Sequence, residues 1–421
     1  MATGEAATLV VVGAGQRGTR YAELALQQGA RVVAIADPNP IRRGRLAELT
    51  GLPAERCYRD WADLAAMGRL AAGAVVATPD HLHRDPAVAL LGLGYDVLLE
   101  KPMAPDAAGA REIVAAADAS GSHLVVAHVL RYQPITRLVE SLVGADGIGE
   151  VISVQHLEPI GDWHFTHSYV RGNWRNERES APLLLTKACH DIDWLSHIVG
   201  ARATRVSSFG GRFEFRPERA PAGAGEVCLD CAVEVDCPFS AKRQYLGALD
   251  GADPWTWPVS VVTDIHTRDA LEAALRSGPY GRCVYRCDND VLDHQVVNVE
   301  YESGVVAGFM LSAFTPMAGR KTRIGGSRGH LEVGGGRVEL YRFLDRSVET
   351  LVPPDLAGDG HAADGGHAGG DEGLVRAFVG ALADGDWSRV PTDGHASLRS
   401  HLVVWAAEEA RLSGRVIQLA E

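Results

Sequence analysis

The chain has 421 residues, of which 46% are hydrophobic, and its formal net charge is -13. Because a single hydrophobic core stops growing at roughly 250 to 300 residues, this length predicts two domains. The acidic balance argues against a nucleic-acid partner, which would need a basic face. No apolar run reaches the roughly 20 residues that span a bilayer, and no signal-peptide pattern opens the chain. We therefore expect no membrane partner and a cytoplasmic protein.

The first apolar run, 8–12, leads directly into a glycine-rich turn and then into a helical pattern. Glycines allow a tight turn and the close approach of a pyrophosphate, which the amino terminus of the following helix attracts. A second apolar run, 31–36, ends at Asp37, where a carboxylate reaches the adenosine ribose and repels a 2′-phosphate. The pattern predicts NAD, although Arg42 and Arg43 leave NADP open as the less favoured cofactor. The predicted cofactor residues here are Gly13, Gly15, Gln16, Arg17, Gly18 and Asp37.

Polar residues also follow the next three predicted strands, which are 74–77, the apolar run that ends at Leu99, and 124–127. In an open α/β sheet, the carboxyl ends of the strands line the ligand crevice. We therefore expect the residues after these strands to converge on the cofactor, with Glu100 holding Lys101 in place. For His83, an ordinary position at a helix start remains the alternative. The residues predicted here are Thr78, Pro79, His83, Glu100, Lys101 and His128.

We place the domain boundary near His128. This gives a dinucleotide-binding domain at residues 1–128 and a substrate-binding and oligomerisation domain at residues 129–421. An unfamiliar stretch at about 210–290 is interpreted as an insertion, and the glycine-rich stretch 361–370 predicts a loop. Open sheet faces in the second domain suggest a homodimer or a homotetramer.

An aromatic and basic stretch, 162–175, follows a strand of alternating apolar and polar residues. Aromatic rings stack on the C–H faces of sugars, and imidazole and guanidinium groups bind their hydroxyls. The stretch therefore predicts a sugar or polyol site, with a loop packed on a subunit interface as the alternative. The predicted substrate-binding residues are Tyr132, His164, His167, Arg171, Trp174, Lys187 and His190.

A later helical pattern, 186–197, carries residues suited to acid–base chemistry. His190, Asp193 and His197 are spaced i, i+3 and i+7, so they share one face of the helix. A neutral imidazole is a natural general base near pH 7, and a carboxylate one turn away can orient it. We predict Lys101, His190 and Asp193 as the catalytic residues.

Three motifs occur together in the first third of the chain: the glycine turn, Thr78-Pro79-x-x-x-His83 and Glu100-Lys101-Pro102. In this order and spacing they resemble the Gfo/Idh/MocA oxidoreductases, the family of glucose-fructose oxidoreductase and inositol dehydrogenase. The resemblance implies the α/β class, with an N-terminal Rossmann domain and a C-terminal α/β domain built on a large open mixed, mainly antiparallel sheet.

The resemblance also implies roles for single residues. Lys101 would lie beside the nicotinamide and the reacting hydroxyl, Trp174 and Arg175 would lie close to the cofactor, and His190 would be the catalytic histidine. The family usually carries an aspartate four residues before that histidine, where this chain has Thr186. Either Lys187 or Asp191 replaces the missing group, or the reaction is not the usual one.

These patterns predict an NAD-dependent oxidoreductase that takes hydride from a secondary hydroxyl of a sugar, a sugar derivative or a cyclitol. His190, supported by Asp193, would accept the hydroxyl proton, and Lys101 would hydrogen-bond the same oxygen. One alternative is an NAD-dependent glycosidase that works by transient oxidation, elimination and re-reduction. Another is a cofactor-binding regulator or scaffold without turnover.

Five of the seven cysteines lie between positions 228 and 287. Cys228, Cys231, Cys237, Cys283 and Cys287 would suit a structural zinc ion if the chain folds back to bring them together. Uneven spacing and the lack of a second Cys-x-x-Cys favour small buried hydrophobic residues instead. We therefore predict no metal site and leave zinc open.

Overall fold

The structure is a computed structural model that describes residues 6–145, 147–354 and 368–419. Residues 361–367 of the predicted glycine-rich loop lie outside these ranges. Among the helices of the described residues, none combines the length and apolar composition that a membrane span requires.

A six-stranded sheet organises the first part of the chain. Its strands are β1 (Thr8–Val12), β2 (Arg31–Ala36), β3 (Cys57–Tyr58), β4 (Gly73–Val76), β5 (Asp96–Leu99) and β6 (Leu124–Val126). Their order is β3-β2-β1-β4-β5-β6, and all neighbouring pairs are parallel. The order reverses between β1 and β4, and ligands bind doubly wound sheets beyond the strand ends at such a reversal.

Helices connect these parallel strands. They are α1 (Gln16–Gln27), α2 (Pro40–Thr50), α3 (Trp61–Ala65), α4 (Arg84–Gly92) and α5 (Ala107–Ser120). The strands form because their apolar side chains are buried on both sides of the sheet, which is typical of parallel sheets. Asp106 caps α5 by accepting the Gly109 N–H, as its sequence position indicates.

A nine-stranded sheet organises the second part. Its strands are β7 (Val151–Pro159), β8 (Ala203–Gly211), β9 (His294–Tyr301), β10 (Val306–Ser312), β11 (Lys321–Gly326), β12 (Gly329–Gly334), β13 (Arg337–Arg342), β14 (Val348–Leu351) and β15 (Ile417–Gln418). The order is β14-β13-β12-β11-β7-β10-β9-β8-β15. Only β7 and β10 pair in parallel among these described strands, so the predicted mixed, mainly antiparallel sheet is confirmed.

The remaining helices pack on this sheet, on the first sheet or within the stretch between β8 and β9. They are α6 (Pro134–Leu142), α7 (Asp162–Phe165), α8 (Leu183–Val199), α9 (Val259–Val262), α10 (Arg268–Ser277), α11 (Gly370–Asp384) and α12 (Gly394–Ser413). Two π-helical turns lie at Thr166–Arg171 and Lys242–Leu246. The 3-10 turns are Ala54–Arg56, Asp80–Leu82, Val129–Tyr132, Pro217–Arg219, Cys228–Asp230, Glu234–Asp236, Gly247–Asp250, Pro279–Gly281 and Trp387–Arg389.

Two late helices, α11 and α12, pack against the first sheet, which the sequence pattern did not indicate. Phe378 of α11 lies in the core under the first sheet, so a late segment returns to the dinucleotide-binding side. Trp405 of α12 packs against the cores of both sheets. The interpreted insertion runs between β8 and β9 and has a small core of its own, which includes Tyr245, Leu271 and Leu275.

Candidate active site

The turn between β1 and α1 has the backbone shape of a phosphate cradle. Gly13 has a φ of +95°, and a Cβ atom there would lie 2.4 Å from the Ala77 carbonyl oxygen. A Cβ atom on Gly18 would lie 1.8 Å from the Gly13 carbonyl oxygen, whereas one on Gly15 would meet nothing within 4 Å beyond its chain neighbours. The first and third glycines therefore allow close packing, and the second leaves room for a pyrophosphate.

Asp37 ties the end of β2 to this turn. Its Oδ2 accepts the Ala14 N–H at 2.6 Å, and its Oδ1 accepts the Asn39 N–H at 2.8 Å. A carboxylate at this strand end is the group that binds the adenosine ribose hydroxyls in dinucleotide-binding sheets. Together with the open space at Gly15, this carboxylate acceptor fits the ribose hydroxyls and the pyrophosphate of NAD.

The insertion reaches this cofactor crevice from the second part of the chain. Ser260 Oγ accepts from Gln16 Nε2 at 2.9 Å, directly after the glycine turn. Asp264 accepts from Asn39 Nδ2 at 3.1 Å and pairs with Arg42 at 3.4 Å. Arg42, one of the two arginines that kept NADP possible as a cofactor, is therefore bound by the Asp264 carboxylate of the insertion.

Glu100, directly after β5, anchors the strand end. Its Oε1 accepts from Arg17 Nε at 2.7 Å and from the Tyr21 hydroxyl at 2.6 Å, and its Oε2 accepts the Lys101 backbone N–H at 2.7 Å. Arg17 also forms a bidentate pair with Asp371 of α11, at 2.6 and 3.0 Å. Burial alone would raise the pKa of Glu100, but the charges of Arg17 and Lys101 outweigh burial and lower it.

Lys101 bridges the two parts of the fold. Its Nζ donates to the Thr186 carbonyl oxygen at 2.7 Å, one helical turn before His190 on α8. His83 links the chain after β4 to the chain after β5. Its Nδ1 lies 2.7 Å from the Pro102 carbonyl oxygen, and its Nε2 lies 2.8 Å from the Thr78 carbonyl oxygen. The lysine amine therefore lies at a defined position between the dinucleotide sheet and the helix of the predicted base.

His190 is buried beside a charged pair. Its Nε2 lies 3.0 Å from an Arg320 guanidinium nitrogen and 3.6 Å from Asp191 Oδ2. Asp191 also contacts Arg320 Nε and accepts from His156 Nε2 at 3.0 Å. Burial alone would raise the pKa of Asp191, but the Arg320 charge and the His156 hydrogen bond hold it well below its ordinary value. The ion pair of Asp191 and Arg320 thus places a fixed dipole beside the His190 imidazole.

A second set of polar groups lies next to this pair. Glu158, at the end of β7, pairs with Lys187 at 2.8 Å and with Arg320 at 3.1 Å. His164 has a pKa well below its ordinary value, because burial disfavours its cation and the nearby Lys187 charge adds to the effect. The Trp257 ring of the insertion packs edge-on against His164, with ring centroids 5.0 Å apart. Aromatic and charged groups therefore share one wall of the crevice.

Two family models match the chain. The oxidoreductase family with an NAD-binding Rossmann fold matches residues 7–128, and the C-terminal alpha/beta domain of the same family matches residues 140–419. The chain belongs to this family, the Gfo/Idh/MocA oxidoreductases. Membership confirms the predicted family, the oxidoreductase class and NAD as the cofactor.

Three proteins illustrate what this family member is similar to. An oxidoreductase of Bacillus subtilis named YteT is 25% identical over 72% of this chain and 70% of its own length. The 2,7-anhydro-N-acetylneuraminate hydratase of Escherichia coli is 22% identical over 63% of this chain and 67% of its own. The structure of levoglucosan dehydrogenase with NADH and levoglucosan has a TM-score of 0.72 at 17% identity, covering 99% of this chain and all of that one.

The fold brings some predicted site residues of this oxidoreductase together. Lys101, Lys187 and His190 meet at α8, and the charge of Lys101 also contributes to the lowered pKa of His164. Trp174 lies at the cofactor side, where its Nε1 donates to Asp80 Oδ2 at 2.8 Å, two residues after Thr78. The cofactor and substrate roles of these residues stay predictions.

Other predicted residues lie elsewhere. Asp193 does not orient His190, because its carboxylate is bound by Arg131 and Ser400, each at 2.6 Å. The spacing predicted that Asp193 and His190 share one helix face. In the structure, residues of α12 and of the 129–132 turn bind the aspartate instead. His128 is also fully buried, and its nearest charged group is Asp193 at 3.9 Å. It therefore does not line the crevice.

Four further predicted site residues are likewise bound by neighbouring protein groups in this structure. The Tyr132 hydroxyl is buried against Thr392 at 2.7 Å, and Arg175 forms a bidentate pair with Asp288. His167 is hydrogen-bonded to the Tyr245 hydroxyl at 2.8 Å, and Arg171 donates to backbone carbonyls inside the insertion. Arg17 and His83, predicted at the cofactor, act on neighbouring protein groups in this structure.

Sequence reasoning missed Arg320, Glu158 and Trp257. The register of the second sheet explains the first two, because β7 and β11 are antiparallel neighbours with Leu157 opposite Lys321. This pairing sets Glu158 beside Arg320, although 162 positions separate them in the chain, counted from 158 to 320. No local periodicity carries that information. For Trp257, the cluster of tryptophans at 255–257 was the available signal.

Proposed function

We propose that this protein oxidises a secondary hydroxyl group of a sugar, a sugar derivative or a cyclitol, with NAD as the hydride acceptor. The contact that carries the proposal is the 2.7 Å hydrogen bond from Lys101 Nζ to the Thr186 carbonyl oxygen. It sets the amine of the dinucleotide domain one helical turn from His190. Oxidation of an alcohol needs two such groups, a donor to the reacting oxygen and a base for its proton.

The arrangement around His190 supports its role as the base. Its Nε2 accepts from Arg320, so that nitrogen carries a lone pair and no proton. It would take the proton of a substrate hydroxyl that replaces the guanidinium there. Asp191 holds Arg320 in place and would stabilise the imidazolium that forms. The bound NAD supplies the acceptor for the hydride. Lys101 donates to the hydroxyl oxygen and lowers the cost of its developing negative charge.

The wall formed by His164, Lys187 and Trp257 supports a sugar as the substrate. The tryptophan face is suited to the C–H surface of a pyranose or cyclitol ring, and the polar groups are suited to its hydroxyls. A dehydrogenase and a hydratase of anhydro-sugars among the relatives agree with this substrate class.

The test measures NADH formation with a panel of sugars, sugar derivatives and cyclitols. We expect Lys101→Ala and His190→Ala to lower kcat about 10²- to 10⁴-fold, since positioned acid–base groups contribute this much. NAD binding, measured by calorimetry, should persist in both variants. His395→Ala is the control, because that exposed side chain contacts only Asp118 among the described residues. Unchanged NADH formation in both active-site variants would contradict the proposed catalytic roles. A wild-type chain that binds NAD but forms no NADH with any member of the panel would favour a scaffold without turnover.

A second candidate is an NAD-dependent glycosidase or eliminating enzyme. In that reaction a transient ketone acidifies the neighbouring C–H, the leaving group is eliminated, and the same bound NADH restores the alcohol. It needs a further proton acceptor beyond His190. His164, which shares one wall of the crevice with Lys187 and Trp257, is a candidate for this role. The absence of the aspartate that the family usually carries at the position of Thr186 favours this candidate over simple oxidation.

Glycosides incubated with catalytic amounts of NAD distinguish the two reactions. Bond cleavage without accumulating NADH, together with solvent deuterium at the carbon next to the oxidised one, indicates the glycosidase. Stoichiometric NADH without cleavage indicates the dehydrogenase. In the first case His164→Phe should block cleavage while a first half-reaction that reduces NAD persists.

A further inference from the structure

Four of the seven cysteines line one cavity inside the insertion. Cys228, Cys231, Cys237 and Cys283 surround a space of about 10 Å³, close to what a single water molecule or ion needs. Cys287, the fifth cysteine of this region, does not line the cavity, and its Sγ donates to the Cys283 carbonyl oxygen at 3.3 Å. All of them are free thiols.

The backbone brings these thiols together from three separate segments. Cys228 begins a 3-10 turn, and the Cys231 N–H closes it by donating to the Cys228 carbonyl oxygen at 3.3 Å. The segment of Cys283 pairs with the residues just before Cys228. The Cys283 N–H donates to the Glu226 carbonyl oxygen at 2.9 Å, and Arg282 forms a β-bridge with Val227. The third segment contributes Cys237. A Cys-x-x-Cys turn beside two further cysteines is the ligand pattern of a structural zinc site.

Backbone N–H groups point at three of the four sulfur atoms. Such N–H donors stabilise the thiolate form of a cysteine, which is the form that binds a metal. Without a cation the environment acts in the other direction, because burial raises the pKa of Cys237 and of Cys283. The donating N–H groups belong to Gly225 for Cys231, Phe239 for Cys237 and Tyr285 for Cys283.

Arg171 is a buried cation that indicates a missing negative charge in this cavity. It lines the cavity and is fully buried. Its guanidinium donates to the carbonyl oxygens of Arg282 at 2.8 Å and Phe239 at 2.7 Å, and to Cys228 Sγ at 3.5 Å. Its remaining nitrogen has no partner, and no carboxylate of the described residues pairs with it. The cavity carboxylate, Glu234, is bound by Ser240 and lies 3.8 Å from Lys242.

A buried cation without a counter-ion is costly, whereas one beside an anionic complex is not. Zinc bound by four thiolates carries a net charge of about -2, which a neighbouring guanidinium would partly neutralise. Four neutral thiols would leave Arg171 uncompensated. The charge balance of the cavity therefore favours a bound cation with thiolate ligands over a set of buried hydrophobic cysteines.

We propose that Cys228, Cys231, Cys237 and Cys283 bind one structural zinc ion that holds the segments of the insertion together. In the present side-chain conformations, no three histidine, cysteine, aspartate or glutamate side chains of the described residues are close enough to hold an ion. Binding therefore requires thiols to rotate about their Cα–Cβ bonds into the cavity that they already line. With four protein ligands the site has no open position for a substrate, so its role is structural.

The first test measures the metal content of the full chain, purified under reducing conditions without added chelator. We expect about one zinc ion per chain by plasma mass spectrometry, and none in Cys237→Ser. Cys57→Ser is the matched control, because Cys57 lies in the dinucleotide domain outside the cavity, and it should retain the ion. A wild-type chain that holds no zinc, even after titration with zinc chloride, would overturn the proposal, as would a disulfide between two of the four cysteines.

The second test keeps the wild-type ligands and so does not depend on how a variant folds. Cobalt substituted for zinc should give the sulfur-to-metal charge-transfer bands and intense d–d bands of tetrahedral thiolate coordination. Their absence would contradict the site. Arg171→Met should release zinc to a chelator several-fold faster than the wild type, while Arg171→Lys, which retains the charge, should release it more slowly than Arg171→Met. Equal rates in all three proteins would contradict the charge argument.

Discussion

Asp191 and Asp193 are both fully buried on α8, but they have different partners. Asp191 is bound by Arg320 and His156 beside the predicted base, whereas Asp193 is bound by Arg131 and Ser400 on the opposite side. Removing one partner of a buried pair costs about 3 to 5 kcal/mol, so both aspartate-to-asparagine variants should lower the melting temperature. Only the Asp191 variant should change catalysis.

The measurement that separates the two aspartates is the pH profile of kcat/KM. In Asp191→Asn the lost negative charge no longer favours the His190 cation, so the pKa of the base should fall and the acidic limb should move to lower pH. Asp193→Asn should retain the wild-type profile in the fraction that is folded. A shifted profile in Asp193→Asn alone would restore the role that helix spacing predicted for it.

His128 is predicted to make stability depend on pH rather than to bind the cofactor. Burial lowers its pKa to about 4, with Asp193 opposing the shift only in part. Because the unfolded state protonates near pH 6.5, it binds more protons than the folded state below that value. This contribution to stability is therefore present above pH 6.5 and is lost as the pH falls toward 4, by at most about 1.4 kcal/mol per pH unit.

His128→Leu tests this expectation directly. Neither ring nitrogen of His128 has a hydrogen-bond partner in the described part of the chain, so leucine removes only the titration and an unsatisfied polar group. The free energy of unfolding, measured by urea denaturation between pH 4 and 6.5, should fall less steeply in the variant. NAD affinity should not change. A large loss of NAD affinity would return His128 to the cofactor site.

At the scale of elements, the insertion is predicted to slow the release of NAD. Asp264 of the insertion lies against α2, where it binds Asn39 and Arg42 and where its backbone carbonyl accepts from Arg45 at 2.8 Å. These contacts close the crevice at the end where the adenosine would lie. Partly exposed ion pairs contribute roughly 0.2 to 1 kcal/mol, which corresponds to a change of up to about fivefold.

We therefore expect Asp264→Ala to increase the NAD dissociation rate a few-fold, measured by stopped-flow fluorescence. Asp269→Asn is the matched control, since that carboxylate is exposed on α10 of the same insertion. The association rate should change less, because the contact acts mainly on the closed state. Identical dissociation rates in the wild type and both variants would show that the insertion does not retain the cofactor.

Most elements of the first domain could be predicted because its longer strands are largely apolar runs that glycine or polar residues follow. The two-residue strand β3 carries no such pattern and was not predicted. The positions of Lys101 and His190 followed from such local patterns together with the family resemblance. The groups around His190 could not, since Arg320 reaches Asp191 only through the pairing of β7 with β11. The direction of these side chains could not be predicted either. Neither the spacing of Asp193 nor the charge of Arg171 indicated that packing partners would bind these two side chains.

At the scale of the whole molecule, the open face of the nine-stranded sheet is predicted to form a homo-oligomer interface. Four residues, from β8, β9, β10 and β7, lie in register across this face: Phe209, Val296, Met310 and Leu157. Phe209 is 70% exposed and Met310 is 44% exposed, although both are large apolar side chains. A contiguous, partly exposed apolar row indicates an association site.

Met310→Glu places a charge at the centre of this row, where burial against a second copy would leave it unpaired. We expect the variant to shift from a dimer or tetramer toward the monomer in analytical ultracentrifugation, because an unpaired buried charge costs several kcal/mol. Met67→Glu is the control, since Met67 is exposed on the dinucleotide domain away from the sheet. A wild-type chain that sediments as a monomer at micromolar concentration would contradict the interface. So would an oligomer that persists unchanged in Met310→Glu, because the row would then face solvent in the assembled protein.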